Sequence, residues 1–143
     1  GDPMKKMILC LCLLLMGCSK NKTTTVCALT QENVKVLNTI VAQDDKVIKQ
    51  TLENEINYKN LELTKEDVVE LANEYVESYD LEGLSYSFEV NEEHLLETIT
   101  IDYSTANIQE LMNIGLIESV DDAQYISLKQ TLETLKDTGF ICE

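Results

Sequence analysis

The sequence predicts an α+β domain, in which an antiparallel sheet of about five to six strands (β-β-β-α-β-β-α-α-β) has helices packed against it. Residues 23–58 are rich in Thr, Val and Ile and are interrupted by short polar breaks, which is typical of strands. Residues 84–90 alternate with period two, as a half-buried strand does. Apolar residues over 64–79 instead recur at three and four residues, which indicates an amphipathic helix.

The first three strands are expected to form a meander, with breaks at 31–33 and 43–45. Apolar side chains occupy both faces of 34–42, so this strand is predicted to be central. In the third strand, even spacing places Ile48, Leu52 and Ile56 on one face.

The predicted helix after the meander has Thr64 as its N-cap and Asp67 at its third helical position. Its apolar residues form one stripe that we expect to pack on the sheet. The stripe consists of Val68, Leu71, Ala72, Tyr75, Val76 and Tyr79.

A hairpin is predicted next, from 84–90 and 95–103 around a turn at 91–93. Period two places four residues of its second strand on the inner face: Leu95, Ile99, Ile101 and Tyr103.

The C-terminal part is predicted to contain two short helices and an edge strand. Ser104 or Thr105 is expected to cap a helix that runs through Met112, and 113–124 to form a loop. Ser127 is predicted to cap the last helix and Gly139 to end it, before residues 140–142 return as a strand.

The N-terminus has the pattern of a bacterial lipoprotein signal. Lys5 and Lys6 precede an apolar run over 7–16, which is about half the roughly 20 residues that a spanning helix needs. The motif Leu-Met-Gly-Cys follows and ends at Cys18, which is the predicted lipidation residue. The alternative is that this segment is an ordinary secretory signal.

These features divide the chain into an expression-tag remnant at 1–3, a signal peptide at 4–17, a lipidated Cys with a short tether at 18–25, and a single domain at 26–143. Two acyl chains give a stable anchor, so the protein is expected on the extracytoplasmic face of the cell membrane.

The predicted mature chain is strongly acidic. Removal of residues 1–17 leaves 9 lysines, no arginine and 25 acids, a formal charge of −16 over 126 residues. Neutralising phosphates needs clustered Lys or Arg, so nucleic acid is not expected as a partner. The densest acidic stretch, 53–97, is predicted to be a solvated face, with a divalent-cation or cationic-partner surface as the alternative.

Two cysteines remain after the signal and the lipidated residue are set aside. Cys27 and Cys142 form the candidate disulfide, because paired cysteines outside the cytoplasm tend to oxidise. Two independent thiols are the alternative. No Cys-x-x-Cys pair is present, so a redox role is not predicted.

Catalytic and metal-binding signatures are missing from the sequence. His94 is the sole histidine, and in a strand it points to the face opposite Glu97. No catalytic residue, no metal ligand set and no cofactor is predicted. Tyr75 and Tyr79 are interpreted as core, with a ligand pocket as the alternative.

The chain resembles the YehR-like family of small bacterial lipoproteins. The resemblance rests on the signal, on Lys49-Gln50-Thr51, on the strand 98–103, and on 125–129 leading to Thr138-Gly139-Phe140. It implies a membrane-anchored α+β domain of unknown function and supplies no catalytic residues. Where family members tend to have Gly and Lys in the hairpin turns, this chain has Asn33 and Asp44-Asp45.

Three function classes follow from these observations. The first is a non-enzymatic envelope lipoprotein, a monomeric domain that binds a protein partner or assists assembly at the membrane surface. The second is a small-molecule or divalent-cation-binding accessory protein, which requires a concave pocket lined by tyrosines and acids. The third is an enzyme, which requires a carboxylate pair in a cleft; we predict that the protein is not one.

Overall fold

The computed structural model of the chain describes residues 21–118 and 125–143. They form a six-stranded sheet, one 3₁₀ turn at Lys59–Leu61 and three helices. The strands are β1 (Lys22–Thr30), β2 (Val34–Gln43), β3 (Lys46–Asn57), β4 (Leu84–Val90), β5 (His94–Asp102) and β6 (Ile141–Cys142). The helices are α1 (Lys65–Ser78), α2 (Ile108–Asn113) and α3 (Leu128–Asp137).

The sheet has the strand order β4-β5-β3-β2-β1-β6, and every neighbouring pair is antiparallel. The predicted α+β class, the meander and the hairpin are confirmed, and β2 lies in the interior of the sheet as expected. The predicted tether over 18–25 is too long, because β1 already begins at Lys22. The three threonines of β1, residues 23–25, pair with residues 42, 41 and 40 of β2 in that order. Threonine is β-branched and favours this extended conformation.

All three helices cover one face of the sheet, over three hydrophobic clusters. The first cluster lies between α1 and the sheet. It contains the buried residues Val68 and Ala72 of α1, Tyr58 and Leu95, with Ile56, Phe88 and Val90 packed against them. Beneath α2, Leu111 packs on Ile99 and Ile101. Beneath α3, the cluster contains Cys27, Ile40 and Val47. We call this covered side the inner face and the opposite side the outer face.

Several helix ends are those that the sequence predicts. Thr64 and Asp67 form a reciprocal capping box at the start of α1. Ser127 accepts a hydrogen bond from the Gln130 amide and caps α3, and Gly139 follows the helix with φ +102°.

The cap predicted for the middle helix is wrong. Asn107, not Ser104 or Thr105, accepts the bond from the Glu110 amide and begins α2. The Ser104 hydroxyl instead donates to Asp102 Oδ1 at 2.6 Å, because Asp102 closes a turn at the end of β5.

The core differs from the predicted one in β3 and α1. The register between β2 and β3 shifts between Val41 and Ala42. Ala42 therefore pairs with Val47 rather than with Ile48, and Val47 is almost fully buried. In α1, only Val68 and Ala72 are buried, while Leu71 is 44% and Val76 45% exposed. The apolar stripe of this helix is therefore only partly covered.

Candidate binding surfaces

The predicted lipidation residue, Cys18, lies outside the described residues. The first described residue, Asn21, accepts a backbone hydrogen bond from Asp44 at 3.0 Å, so the chain enters the domain beside the β2–β3 turn. In residues 21–118 and 125–143, no helix is both long and apolar enough to cross a bilayer.

Cys27 and Cys142 are joined by a disulfide that spans 115 residues of sequence. They are directly opposite in β1 and β6, with their Cα atoms 4.0 Å apart. The flanking Val26 and Glu143 exchange both backbone hydrogen bonds, at 2.9 and 2.8 Å. The cysteines therefore occupy a non-hydrogen-bonded pair, where side chains approach most closely. The bridge fixes the two-residue strand β6 to the sheet.

His94 begins β5 and lies on the outer face, whereas Glu97 is buried on the inner face. The two side chains point to opposite faces, as predicted. His94 Nε2 is 3.9 Å from Glu55 Oε1, which forms an ion pair only when the imidazole is protonated. In the described part of the chain, no group of three His, Cys, Asp or Glu side chains is placed to hold a metal ion.

The strongest perturbation of an ionisable group lies at Tyr86 on the inner face. Its hydroxyl donates to the Glu97 carboxylate, and its ring contacts those of Tyr75 and Tyr79 with centroids 6.0 and 5.6 Å away. Burial, followed by the bond to Glu97, raises the pKa of Tyr86 well above its ordinary value. Tyr86 therefore stays neutral at physiological pH and satisfies the buried acid.

A second polar group is buried under α3. Gln50 donates to Asn38 Oδ1 at 3.0 Å and accepts from the Tyr103 hydroxyl at 2.8 Å. Asn38 is 2% and Gln50 9% exposed. These three uncharged side chains contribute to a cleft of about 430 Å³, whose walls include Leu116 and Gln130.

A concavity of about 720 Å³ lies on the outer face of the sheet. It is lined by outward side chains from two neighbouring cross-strand rows, which we call the sheet groove. The first row is Ala28, Leu37, Glu53, Thr98 and Ser87; the second is Thr30, Lys35, Glu55, Leu96 and Glu89.

The sheet groove has acidic residues at its centre and a leucine on either side of them. Leu37 is 38% and Leu96 36% exposed, and Ile141, which pairs with Ala28 at the end of the first row, is 73% exposed. Glu53 and Glu55 occupy β3 at its centre. Among the described residues, neither Leu37 nor Leu96 belongs to a hydrophobic cluster under the helices.

Sequence reasoning did not identify the sheet groove, although one signal for it is present. Leu96 has the same parity in β5 as Thr98 and Thr100, which is the polar side of the predicted hairpin. Leu37 is likewise an outward residue of β2. The two leucines line one groove only because β2 and β5 both pair with β3, an arrangement that local patterns do not specify.

The fold defines a small α+β domain, with helices on one sheet face and the other face open. The chain belongs to the family described as "Protein of unknown function (DUF1307)", whose profile matches residues 22–141. This assignment agrees with the YehR-like resemblance of the sequence.

Two curated relatives are lipoproteins of Listeria. Lin0239 of Listeria innocua, an "uncharacterized lipoprotein", is 29% identical over 136 residues, which cover 93% of this chain and 89% of the relative. Lmo0207 of Listeria monocytogenes, named in the same way, is 25% identical with the same coverage.

Two solved structures share the fold. The NMR structure of E. coli YehR matches with a TM-score of 0.74 and 23% identity, over 87% of this chain and 92% of that one. An NMR structure of a Streptococcus pneumoniae protein matches with a TM-score of 0.61 and 12% identity, over 87% of both chains.

Proposed function

We propose that the protein is a lipid-anchored, non-enzymatic binding module that presents its sheet groove to a protein partner on the extracytoplasmic side of the membrane. The open outer face carries this proposal, because it leaves Leu37 and Leu96 exposed in a concave surface. Exposed apolar surface of this kind with a polar rim is typical of protein interaction sites. The occupant is a protein segment, since the groove crosses five strands and is too open to enclose a small molecule.

The position of the anchor supports the same function. Cys18 is four residues before the start of β1, so Lys22 is held within roughly 14 Å of the lipid attachment point. Ala28 is six residues further along β1, which adds about 20 Å at the rise of a strand. The groove is thus at the end of the sheet remote from the lipid, where a partner has access.

The absence of a catalytic role is supported by the chemistry of the described ionisable groups. The pKa of Tyr86 is strongly raised, but its side chain and that of its hydrogen-bond partner Glu97 point to the inner face, under α1, and away from the outward rows of the groove. His94 is beside the groove and has only Glu55 near it as an ion-pair partner. A general base needs a reacting proton within hydrogen-bond reach, and neither group is arranged with a nucleophile for that purpose.

Site-specific photo-crosslinking in the native membrane tests this proposal. Leu37→p-benzoylphenylalanine and Leu96→p-benzoylphenylalanine are expected to capture the same protein, which should then bind the purified chain directly. Val76→p-benzoylphenylalanine is the matched control, because Val76 is 45% exposed on the helical side. Equal capture at position 76, or capture at none of the three positions, would contradict the proposal.

The anchor is tested separately with the Cys18→Ser variant. The wild-type chain is expected to incorporate a palmitate analogue and to sediment with membranes, because two acyl chains hold a protein firmly. The variant should lose the label and appear in the soluble fraction. A labelled Cys18→Ser variant would place the lipid on another residue.

A second candidate function is supported by the cleft under α3, whose buried Asn38 and Gln50 and partly buried Tyr103 suit an uncharged ligand with hydrogen-bonding groups. Native mass spectrometry of the protein purified from membranes is the test. A co-purified small molecule that Tyr103→Phe releases would favour this candidate. An unliganded mass for the wild-type protein would count against it.

A further inference from the structure

We infer that the segment bound in the sheet groove is cationic and amphipathic, with two apolar side chains that contact Leu37 and Leu96 and with basic residues between them. This inference rests on the proposed function and specifies the chemistry of the partner. It follows from the arrangement of charge and apolar surface in the two rows.

The outward acids of the groove outnumber its basic residues. The outward acids are Glu53, Glu55 and Glu89, and the only lysine among the lining residues is Lys35. In residues 21–118 and 125–143, only two ion pairs are within 4 Å, Lys65 with Glu92 and His94 with Glu55. Glu53 and Glu89 are therefore available to a basic partner, and complementary charge favours both association and correct orientation.

The same charges exclude the other classes of occupant. A second copy of the chain, packed face to face, would bring two sets of acids into one interface, which is unfavourable for like charges. Anionic headgroups and nucleic acid are repelled for the same reason. A purely apolar segment would cover Leu37 and Leu96 but would desolvate Glu53 and Glu55 without pairing them.

The register of the strands sets the spacing that the partner must have. Leu37 and Leu96 lie in neighbouring rows of β2 and β5, with β3 between them. Two strand spacings of about 4.8 Å and two residues of strand rise place their Cα atoms about 12 Å apart. In a helix, residues i and i+8 are separated by about the same distance at 1.5 Å per residue. Glu53 and Glu55 lie between the leucines and would face lysines near the middle of such a helix.

A designed helical peptide tests these requirements directly. The probe carries leucines at i and i+8 and lysines at the i+4 and flanking positions; a second peptide replaces every lysine with glutamate. The lipidated chain is used in phosphatidylcholine nanodiscs, because this zwitterionic lipid does not attract the peptide by charge, and empty nanodiscs give the background. Fluorescence anisotropy of the labelled peptide measures binding.

Two triple variants with the same change of charge separate a specific groove from general attraction to an acidic protein. Glu53→Gln/Glu55→Gln/Glu89→Gln alters the groove, and Glu70→Gln/Glu74→Gln/Glu77→Gln alters the solvated side of α1. We expect the groove triple to weaken binding of the lysine peptide about tenfold, and the helix triple less than about twofold. The glutamate peptide should not bind.

Equal weakening by the two triples, or binding of the glutamate peptide, would overturn the inference. Its failure is distinguishable from failure of the proposed function. If Leu37 and Leu96 still crosslink a partner whose contact segment is acidic or uncharged, the binding function stands and the cationic chemistry is wrong. If neither position crosslinks a partner and the lysine peptide also fails to bind, both are wrong.

Discussion

Asp45 in the β2–β3 turn accepts a hydrogen bond from the backbone amide of Lys129, 84 residues later in the chain, at 2.9 Å. Its second carboxylate oxygen accepts from the Ser127 hydroxyl at 2.7 Å. Leu128 also donates its backbone amide to the Asp45 carbonyl. One side chain thus holds the N-terminus of α3 against the end of the sheet at which the chain enters the domain.

Asp45→Asn keeps one carbonyl acceptor for the Lys129 amide but loses the charge and the second oxygen, which accepts from Ser127, so it is expected to destabilise the fold by about 0.5 to 1 kcal/mol. Asp44→Asn is the matched control, since it makes the same charge change at φ +54°, a conformation that Asn tolerates. Urea unfolding followed by circular dichroism measures both. Equal destabilisation by the two variants would mean that charge, not the cap, is responsible.

The Asp45 carboxylate also makes the stability of the fold depend on pH, and the direction of this dependence follows from the pKa of Asp45. The bonds from Lys129 and then Ser127 lower the pKa of Asp45, so the folded state favours the ionised form. Its contribution to stability is fully present above the ordinary aspartate pKa of about 3.9, and is lost as pH falls through the lower folded pKa. The stability difference between wild type and Asp45→Asn should therefore shrink in this acidic range. A difference that is constant from pH 6 to pH 3 would contradict this assignment.

Gly83, immediately before β4, has φ +80° and no space for a side chain. A Cβ there would lie 2.5 Å from the Ala106 nitrogen, whereas Gly115, with φ +77°, has nothing within 4 Å. Both Gly→Ala changes carry the strain of positive φ, but Gly83→Ala adds a clash with backbone, which costs about 1–3 kcal/mol. Thermal melts should show a clearly lower Tm for Gly83→Ala than for Gly115→Ala. Equal Tm values would mean that the backbone around Gly83 and Ala106 moves apart at little cost in stability.

Removal of the disulfide is expected to destabilise the domain substantially. A bridge across 115 residues contributes roughly 4 to 5 kcal/mol through loop-closure entropy, before any native strain is subtracted. Dithiothreitol should lower the urea midpoint of wild type and leave that of Cys27→Ser/Cys142→Ser unchanged. A thiol titration of the denatured mature chain carrying Cys18→Ser, in which Cys27 and Cys142 are the remaining cysteines, provides the check on pairing. Two free thiols would refute the bridge.

The Tyr86–Glu97 bond is expected to stabilise the core below pH 10. Tyr86→Phe leaves the buried carboxylate without its donor and should cost about 2 kcal/mol. Tyr75→Phe is the matched control, because it removes a hydroxyl that forms no such bond with any of the residues that the structure describes. Because the folded pKa of Tyr86 is raised, this stability is present below the ordinary pKa of about 10 and falls as pH rises above it. The stability difference between wild type and Tyr86→Phe should narrow in urea titrations above pH 10. An unchanged difference would contradict the role of Tyr86.

Local patterns predict most of this fold, and the exceptions have identifiable causes. Period two correctly assigns the inner residues of β5, such as Ile99, and capping chemistry correctly assigns Thr64 and Ser127. The bulge at Ile48, which is left unpaired between Val47 and Lys49, interrupts the period at a point that no local signal marks. Glu97 is buried although it is charged, because Tyr86 from the neighbouring strand supplies a donor.

The groove leucines are expected to contribute little to stability, in contrast to inner-face residues of the same strands. Leu37→Thr and Leu96→Thr place a residue of high β-propensity on an exposed surface and should change the free energy of unfolding by less than about 1 kcal/mol. Ile40→Thr in β2 and Ile99→Thr in β5 are the matched controls; they bury a hydroxyl in the core and should cost about 2 kcal/mol or more. Chemical denaturation compares the pairs strand by strand. If Leu37→Thr or Leu96→Thr destabilised the fold as much as the control substitution in the same strand, the leucine would be a structural residue. Its position in the groove would then no longer support a binding role.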